Sequence, residues 1–188
     1  MITDAVPCAE NASFVCGCSG VSVLGQGRID AALLDRWHAC GVSCISTRTI
    51  GTNHIDLEHA RQLGMHVCNA SYAPNGVADF TVMLMLMCMR HYKQALWRGQ
   101  VNDFSLKGLQ GREMRELTVG IIGTGRIGSQ VARNLTGFGC RILAYARKSN
   151  KAIESIAEYV DLATLLRESD IVTLHLNLTP ENRHIINR

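Results

Sequence analysis

Residues 118–148 read TVGIIGTGRIGSQVARNLTGFGCRILAYARK, and this stretch decides the fold that the sequence predicts. Its first five residues are mostly apolar and β-branched, which is typical of a buried strand. Three glycines, Gly123, Gly125 and Gly128, follow at the spacing G-x-G-x-x-G. Residues 127–138 then carry apolar side chains at helical spacing, and residues 141–145 form a second apolar run. The pattern predicts a strand, a tight turn, a helix and a second strand.

Each of the three glycines has its own physical role in such a unit. Gly123 permits the tight turn out of the strand, Gly125 lets a pyrophosphate approach the backbone, and Gly128 lets helix and strand pack closely. The start of the helix offers unpaired N–H groups and a positive dipole end to phosphates. A glycine-rich turn alone is a weak signal, but here strand, helix and second strand all stand at the expected places. The stretch therefore predicts a dinucleotide-binding site.

The end of the second predicted strand indicates which dinucleotide is preferred. Sites for NAD usually carry Asp or Glu about 20 residues beyond the glycines, where the carboxylate binds the adenosine ribose. Here that place holds Ala146, followed by Arg147 and Lys148. The two cations can pair with a 2′-phosphate, whereas an acid would repel it. We therefore predict a preference for NADP(H) over NAD(H); the alternative is that Arg147 and Lys148 only form a solvated strand end.

Composition bounds the class of protein. A chain of 188 residues makes one domain, or one and a part, and 47% hydrophobic with 19% charged residues is typical of a globular protein. A net charge of +3 is too small to indicate nucleic acid as a partner. The eight cysteines lack the spacing of metal ligands, so we expect reduced thiols and no metal site. We find no signal peptide, and the apolar run at 80–89 is too short to cross a bilayer, so we expect a cytoplasmic location.

The remaining elements also alternate between strands and helices. Before the glycine-rich stretch we predict strands at 13–18, 21–24, 42–47 and 65–68, and helices at 30–40, 56–63 and 76–98. The last of these helices is apolar on every side as far as Met89, so we expect it to be buried between domains or against a partner subunit. After the stretch we predict a helix at 161–168, a strand at 171–176 and a helix that starts at Thr179. The fold class is α/β with doubly wound parallel sheets, and the nucleotide-binding sheet has three predicted strands.

Five segments together resemble one known family. They are ISTRTIGTNHID (45–56), SYAPNGVADF (71–80), GREMRELTVGIIGTGRIG (111–128), GFGCRILAY (137–145) and SDIVTLHLNLTPENRHIIN (169–187). With these residues the sequence resembles the D-isomer-specific 2-hydroxyacid dehydrogenases, and among them the D-lactate dehydrogenases of the vancomycin-resistance type. The combination is highly specific, although before residue 42 the likeness is vague.

The resemblance implies an arrangement of domains. Residues 1–75 match part of a flavodoxin-like substrate domain, 76–110 an interdomain helix and connector, and 111–188 an incomplete Rossmann-like nucleotide-binding domain. The chain resembles a family member that is truncated at both ends. A full-length member is expected to be a homodimer.

The resemblance also implies which residues bind the 2-oxo or 2-hydroxy acid. Ile50 and Gly51 match a loop whose backbone amides hold the substrate carboxylate. Tyr72 matches a tyrosine that hydrogen-bonds the same carboxylate. Read without the family, a single tyrosine before Ala73 and Pro74 simply closes a loop.

On the cofactor side, Val77 matches a contact to the nicotinamide ring, and Arg126 and Ile127 lie in the phosphate turn. Ala146 replaces the acid of NAD-specific members, in agreement with the charge argument. The residues that match the loop beside the adenosine half are His175, Leu176, Asn177 and Asn182. The family usually has proline where this chain has Asn177.

The implied reaction is hydride transfer that reduces a 2-oxo acid, such as pyruvate, to the D-2-hydroxy acid. The family's catalytic Arg, Glu and His lie in motifs that do not occur in these 188 residues. We therefore assign no catalytic residue and expect this chain alone to be inactive. Asp56 and Asp79 are interpreted as helix caps, and His175 as a packed residue. The alternative function is a non-catalytic dinucleotide-binding protein, such as a cofactor sensor or a corepressor-like relative.

Overall fold

Strands and helices both occur along residues 2–187, which the computed structural model describes. They form two units. The first comprises the chain up to Tyr72 together with the segment from Asn177 onward, and the second comprises Ala73–Leu176. Each unit contains its own parallel sheet, which confirms the predicted α/β class.

The elements of the first unit are β1 (Gly20–Val23), α1 (Ala31–Ala39), β2 (Cys44–Thr47), α2 (Leu57–Gln62) and β3 (His66–Asn69). The strands are parallel and lie in the order β1-β2-β3. Asp30 caps α1, because its carboxylate accepts a hydrogen bond of 3.0 Å from the backbone N–H of Leu33. Leu34 and Trp37 are buried in the core of this unit beside Ile45 of β2.

The elements of the second unit are α3 (Asn75–Met89), α4 (Tyr92–Gln100), β4 (Thr118–Ile122), α5 (Arg126–Thr136), β5 (Arg141–Tyr145), β6 (Glu158–Tyr159), α6 (Leu162–Glu168) and β7 (Ile171–Leu174). The strands are parallel and lie in the order β6-β5-β4-β7. The bounds of β4 and β5 are those that the sequence predicts.

Helices cover both faces of the second sheet. Val119 and Ile121 of β4 share a core with Val131 and Leu135 of α5. The intervening residue Gly120 faces the opposite side, where a Cβ would lie 2.6 Å from Cδ2 of Leu165 in α6. Because successive strand residues point to opposite faces, β4 is buried on both, and this is the doubly wound arrangement.

The prediction of three strands in this sheet is wrong, because β6 adds a fourth. β6 pairs with β5 through Leu143 with Glu158 and Ala144 with Tyr159. β6 has only two residues, Glu158 and Tyr159, and shows no apolar pattern. It is therefore recognised as a strand only by its pairing with β5.

The prediction of one helix over 76–98 is also wrong. His91 adopts a left-handed backbone with φ of 49° and separates α3 from α4. Within the chain, α3 buries Ala78, Val82 and Met85, while Phe80 remains 57% exposed. The expectation of burial on every side therefore does not hold inside the described chain. The apolar run ends at Met89, and α4 buries none of its residues.

Near the amino terminus the structure corrects two further expectations. Residues 13–15 belong to a 3-10 helix, Ala9–Val15, and not to a strand. Cys16, which caps this helix, is joined by a disulfide to Cys40 at the end of α1, with Cα atoms 4.4 Å apart. The expectation that all eight cysteines are reduced is therefore wrong for this pair. The packing of the 3-10 helix against α1 brings the two helix ends together.

Candidate nucleotide-binding site

The loop between β4 and α5 has the backbone geometry that its glycines predict. Gly123 has φ of +95°, a conformation that favours glycine. Its N–H donates a hydrogen bond of 2.8 Å to the carbonyl of Tyr145 at the end of β5. A Cβ here would lie 2.5 Å from the carbonyl oxygen of His175, which follows β7. Gly123 therefore permits both the turn and the close passage of the chain after β7.

The other two glycines differ sharply from each other. A Cβ at Gly128 would overlap the carbonyl group of Gly123, so only glycine lets α5 approach the loop. At Gly125, the N-cap of α5, a Cβ would meet no atom of the described residues within 4 Å. The conformational roles predicted for Gly123 and Gly128 are confirmed. The open space at Gly125 fits the approach of a diphosphate.

The first turn of α5 follows the glycine loop directly. The backbone N–H groups at the start of a helix have no acceptor within the helix, and they carry its positive dipole end. Arg126 is exposed and Ile127 half-buried in this turn. Ser129 fixes the turn from below, because its hydroxyl and its N–H both donate to the carbonyl of Gly125. The loop is therefore held in shape by its own hydrogen bonds.

The segment after β5 carries the predicted cations. Ala146 is half-buried, whereas Arg147 and Lys148 are exposed in a bend. The Ser149 hydroxyl donates a hydrogen bond of 2.8 Å to the carboxylate of Glu154. Asn150, next in the chain, donates from its side chain to the carbonyl of Thr124 in the glycine loop at 3.0 Å. The segment with the two cations is thus tied to the glycine loop.

The chain that leaves β7 passes beside Gly123. The N–H of His175 donates to the carbonyl of Ile122 at 2.8 Å, and its ring Nε2 lies 3.0 Å from the Thr173 hydroxyl. Burial lowers the pKa of His175, which favours the neutral form of its ring. A neutral, partnered histidine agrees with the interpretation of a packed residue. Leu176, which follows it, is 38% exposed.

Asn177 and Asn182 belong to the other unit. The Asn182 side chain donates to the carbonyl of Asn177 at 2.6 Å and accepts from the N–H of Thr179 at 2.8 Å. Thr179 and Asn182 thereby form a reciprocal cap on a 3-10 turn that begins at Pro180. This confirms the predicted start at Thr179, although the turn is 3-10 and not α-helical.

The predicted carboxylate loop follows β2 in the first unit. The Thr49 hydroxyl donates to the carbonyl of Gly51 at 2.6 Å, and the Asn69 side chain donates to the carbonyl of Ile50 at 2.8 Å. Because both carbonyls are engaged, the backbone of this loop has a fixed orientation. Tyr72 is 46% exposed at the end of the unit. Val77 is half-buried in the first turn of α3, in the second unit.

Two predicted caps have different outcomes. The Asp56 carboxylate accepts from the N–H of His59 at 3.0 Å and caps α2, as predicted. Asp79 lies inside α3 and accepts from the Asn134 side chain of α5 at 2.7 Å, so its interpretation as a cap is wrong. A cap precedes the first helical residue, whereas Asp79 lies inside the predicted helix 76–98 as well as inside α3, which begins at Asn75.

Sequence reasoning missed the residues that hold these loops in place. They are Thr49, Asn69, Thr124, Asn150 and Tyr159. Only Thr124 carries a local signal, since it stands between two of the predicted glycines. Within residues 2–187, no three His, Cys, Asp or Glu side chains are placed to hold a metal ion. Over the same residues, no helix has the length and apolar character needed to span a bilayer.

Residues 82–188, more than half of the chain, match the family model of the D-isomer specific 2-hydroxyacid dehydrogenase NAD binding domain. The chain belongs to the D-isomer-specific 2-hydroxyacid dehydrogenase family. The resemblance to this family is thereby confirmed. Because the matched model is an NAD binding domain, the cofactor is a nicotinamide dinucleotide.

Individual relatives agree with this assignment. The chain is 43% identical over 186 residues to a D-specific alpha-keto acid dehydrogenase of Enterococcus faecalis, covering 99% of this chain and 56% of the relative. It is 40% identical over 174 residues to an aromatic 2-oxoacid reductase of Clostridium sporogenes, covering 92% and 53%. The crystal structure of D-lactate dehydrogenase from Aquifex aeolicus complexed with NAD and lactic acid superposes with a TM-score of 0.86 at 32% identity, covering 94% and 53%. The chain therefore spans about half the length of the curated relatives it matches.

Proposed function

We propose that this chain supplies the cofactor-binding and carboxylate-binding parts of an oxidoreductase that reduces a 2-oxo acid, such as pyruvate, to the D-2-hydroxy acid. The observation that carries the proposal is the glycine loop, with Gly123 at φ of +95°, open space at Gly125, and Gly128 against the loop carbonyl. The names of the relatives from Enterococcus faecalis and Clostridium sporogenes refer to 2-oxo acids, and the Aquifex aeolicus enzyme was crystallised with lactic acid. When bound, the nicotinamide would exchange a hydride with C2 of such an acid.

The pyrophosphate of the cofactor would lie against the start of α5. Gly125 leaves the space, and the N–H groups of the next three residues, Arg126, Ile127 and Gly128, supply the donors. An oxyanion that accepts several oriented N–H groups at a helix start needs no cation to neutralise it. Gly123 contributes by keeping the loop turned toward this space.

The adenosine half would lie beside the end of β5. Arg147 and Lys148 are exposed there, and Ala146 leaves no carboxylate that would repel a 2′-phosphate. A guanidinium binds a phosphate in bidentate fashion, and an ammonium adds a second positive charge. We therefore propose NADP(H) as the preferred cofactor. The other proposed adenosine-side residues are His175, Leu176, Asn177 and Asn182, and Val77 is proposed to contact the nicotinamide.

The substrate carboxylate would bind to the loop after β2. Its carbonyls at Ile50 and Gly51 are occupied by Asn69 and Thr49, which supports a loop whose orientation is set before substrate arrives. Tyr72 would add a hydroxyl donor. A loop that is ordered in advance loses less entropy when it binds its ligand.

We assign no catalytic acid or base to the described residues. The reaction needs a group that moves the hydroxyl proton, with a pKa near the working pH. His59 forms a 2.8 Å pair with Asp35, whose hydrogen bond raises the His59 pKa, and this pair joins α1 to α2. His175 is desolvated, and its pKa is lowered. We propose that the proton-transferring residues lie outside these 188 residues.

The remaining parts of the proposal concern organisation. We propose substrate-domain residues 1–75, a connecting segment 76–110 and nucleotide-binding residues 111–188. A homodimer is supported by the exposed apolar face of α3, where Phe80 and Leu84 are 57% and 44% exposed. Six of the eight cysteines are free thiols, which supports a cytoplasmic location, because thiols are kept reduced there. The Cys16–Cys40 disulfide is an argument against that location.

The test is the ratio of dissociation constants for NADPH and NADH, measured by calorimetry on this chain. We expect NADPH to bind more tightly, and tighter binding of NADH would overturn the cofactor assignment. The reaction itself is tested by pyruvate-dependent oxidation of NADPH with the longest natural gene product. Cofactor binding without any oxidation of NADPH by a panel of 2-oxo acids would favour the non-catalytic alternative.

A further inference from the structure

Three polar residues close a ring of hydrogen bonds behind the glycine loop. The Tyr159 hydroxyl donates to the hydroxyl oxygen of Thr124 at 2.8 Å. The same Tyr159 oxygen accepts from the backbone N–H of Asn150, also at 2.8 Å. The Asn150 side chain donates to the carbonyl of Thr124 at 3.0 Å. We call this set of three residues the Tyr159 ring.

The Tyr159 ring is partly shielded from solvent. Thr124 is 4% exposed, and Tyr159 and Asn150 are half-buried. Tyr159 is fixed by β6, which pairs with Ala144 of β5, and Asn150 is fixed because its side-chain oxygen also accepts from the N–H of Ala152 at 3.1 Å. Hydrogen bonds removed from water in this way hold their geometry more firmly than exposed ones.

The Tyr159 ring holds one end of the segment 146–149. The other end is held at Tyr145, whose carbonyl accepts the N–H of Gly123 at 2.8 Å. Both attachments lead to the glycine loop, one to Gly123 and one to its neighbour Thr124. Arg147 and Lys148, the two exposed cations, lie between these attachment points. The distance between the cations and the start of α5 is therefore set by hydrogen bonds and not only by the chain.

We propose that Tyr159, Asn150 and Thr124 are positioning residues that determine the preference for a 2′-phosphate, an inference that rests on the proposed function. None of the three needs to touch the cofactor. NADPH has two anionic groups joined through one ribose, the pyrophosphate and the 2′-phosphate, whereas NADH has only the first. A segment that is ordered beforehand binds the second group with little further loss of entropy. Loosening the Tyr159 ring should therefore weaken NADPH and spare NADH.

The test is the variant Tyr159→Phe, which keeps the aromatic side chain and removes only its hydroxyl group. We expect the dissociation constant for NADPH to rise about fivefold, while that for NADH changes by less than about twofold. Tyr92→Phe is the matched control, because Tyr92 is exposed on α4 and outside the proposed site. Thermal unfolding of both variants shows whether the fold is retained.

A second experiment separates positioning from general support. In the background Arg147→Ala with Lys148→Ala, the Tyr159→Phe change should no longer alter NADPH affinity, because the cations through which it acts are gone. Equal weakening of NADPH and NADH by Tyr159→Phe, or an effect that persists in that background, would overturn the inference. So would no effect at all. If the unaltered chain binds no dinucleotide, or prefers NADH, it is the proposed function that fails.

If Tyr159→Phe does not fold, Thr124→Val removes the same hydrogen bond at its acceptor. Valine retains the shape of threonine and removes the acceptor of the Tyr159 hydroxyl. The same selective loss of NADPH affinity is expected. A loss shared equally with NADH would again contradict a positioning role.

Discussion

The substitution Gly125→Ala separates cofactor binding from folding at the glycine loop. Gly125 has φ of −69°, which alanine adopts without strain, and an added Cβ would meet no atom of the described residues within 4 Å. Alanine is a poorer N-cap than glycine by about 0.5 kcal/mol. Against this, alanine stabilises the folded state by about 0.4–1 kcal/mol, because it reduces the conformational entropy of the unfolded chain. The two effects nearly cancel, so the melting temperature should change by less than about 2 °C.

The same methyl group should obstruct the cofactor. It would occupy the space through which the pyrophosphate reaches the N–H groups of α5. A hydrogen bond to a charged group contributes about 1.5–3 kcal/mol. The loss of one such bond raises the dissociation constant for NADPH by about 10- to 100-fold.

Calorimetric titration of NADPH into the variant and the unaltered chain measures this effect. Gly99→Ala is the matched control, because Gly99 lies in α4 and a Cβ there also meets no atom of the described residues within 4 Å. The control should bind NADPH as the unaltered chain does. A folded Gly125→Ala variant with unchanged affinity would refute the placement of the pyrophosphate on this turn.

Three further predictions concern stability and cofactor preference. Gly128→Ala sets a methyl group against the Gly123 carbonyl and should lower the free energy of unfolding by about 1–3 kcal/mol; an unchanged urea midpoint would contradict this packing. Ala146→Asp should weaken NADPH about tenfold or more and favour NADH, and titrations that show an unaltered ratio would place the 2′-phosphate elsewhere. The N–H of Thr118, and then Arg112, keep the pKa of Asp170 below its ordinary value. That stabilisation is present above the unfolded pKa and is lost as the pH falls through the folded pKa. Asp170→Asn should therefore be less stable than the unaltered chain at about pH 7, and the difference in stability should shrink as the pH falls below about 4. A difference that is independent of pH would disprove the linkage.

Where the sequence predicts elements correctly, the signals are local. β4 is a buried apolar run that ends at a glycine, and its bounds agree with the structure. α1 begins after Asp30, whose side chain caps it, and its apolar residues at helical spacing are the ones that the structure buries. Such signals depend on neighbours within about four residues along the chain, so they can be read without knowledge of the fold.

Where prediction fails, the deciding contacts come from residues distant in sequence or from a local conformation with no sequence marker. β6 is defined by its pairing with β5, since Glu158 and Tyr159 have no strand pattern of their own. His91 takes a left-handed conformation that few residues other than glycine adopt. The disulfide between Cys16 and Cys40 depends on two helix ends 24 residues apart in sequence.

For the candidate site, the sequence alone predicts the glycine turn after β4 and the two cations after β5. The glycine spacing predicts a turn in which Gly123 and Gly128 leave no room for a Cβ, and the lack of an acid at Ala146 is read directly from the sequence. Only the tertiary structure decides how these parts are joined. Thr124 meets Asn150 and Tyr159 across separations of 26 and 35 residues, through a strand that exists only by pairing. Because hydrogen bonds between distant residues form only when the sheet has brought them together, no local pattern could have revealed the Tyr159 ring.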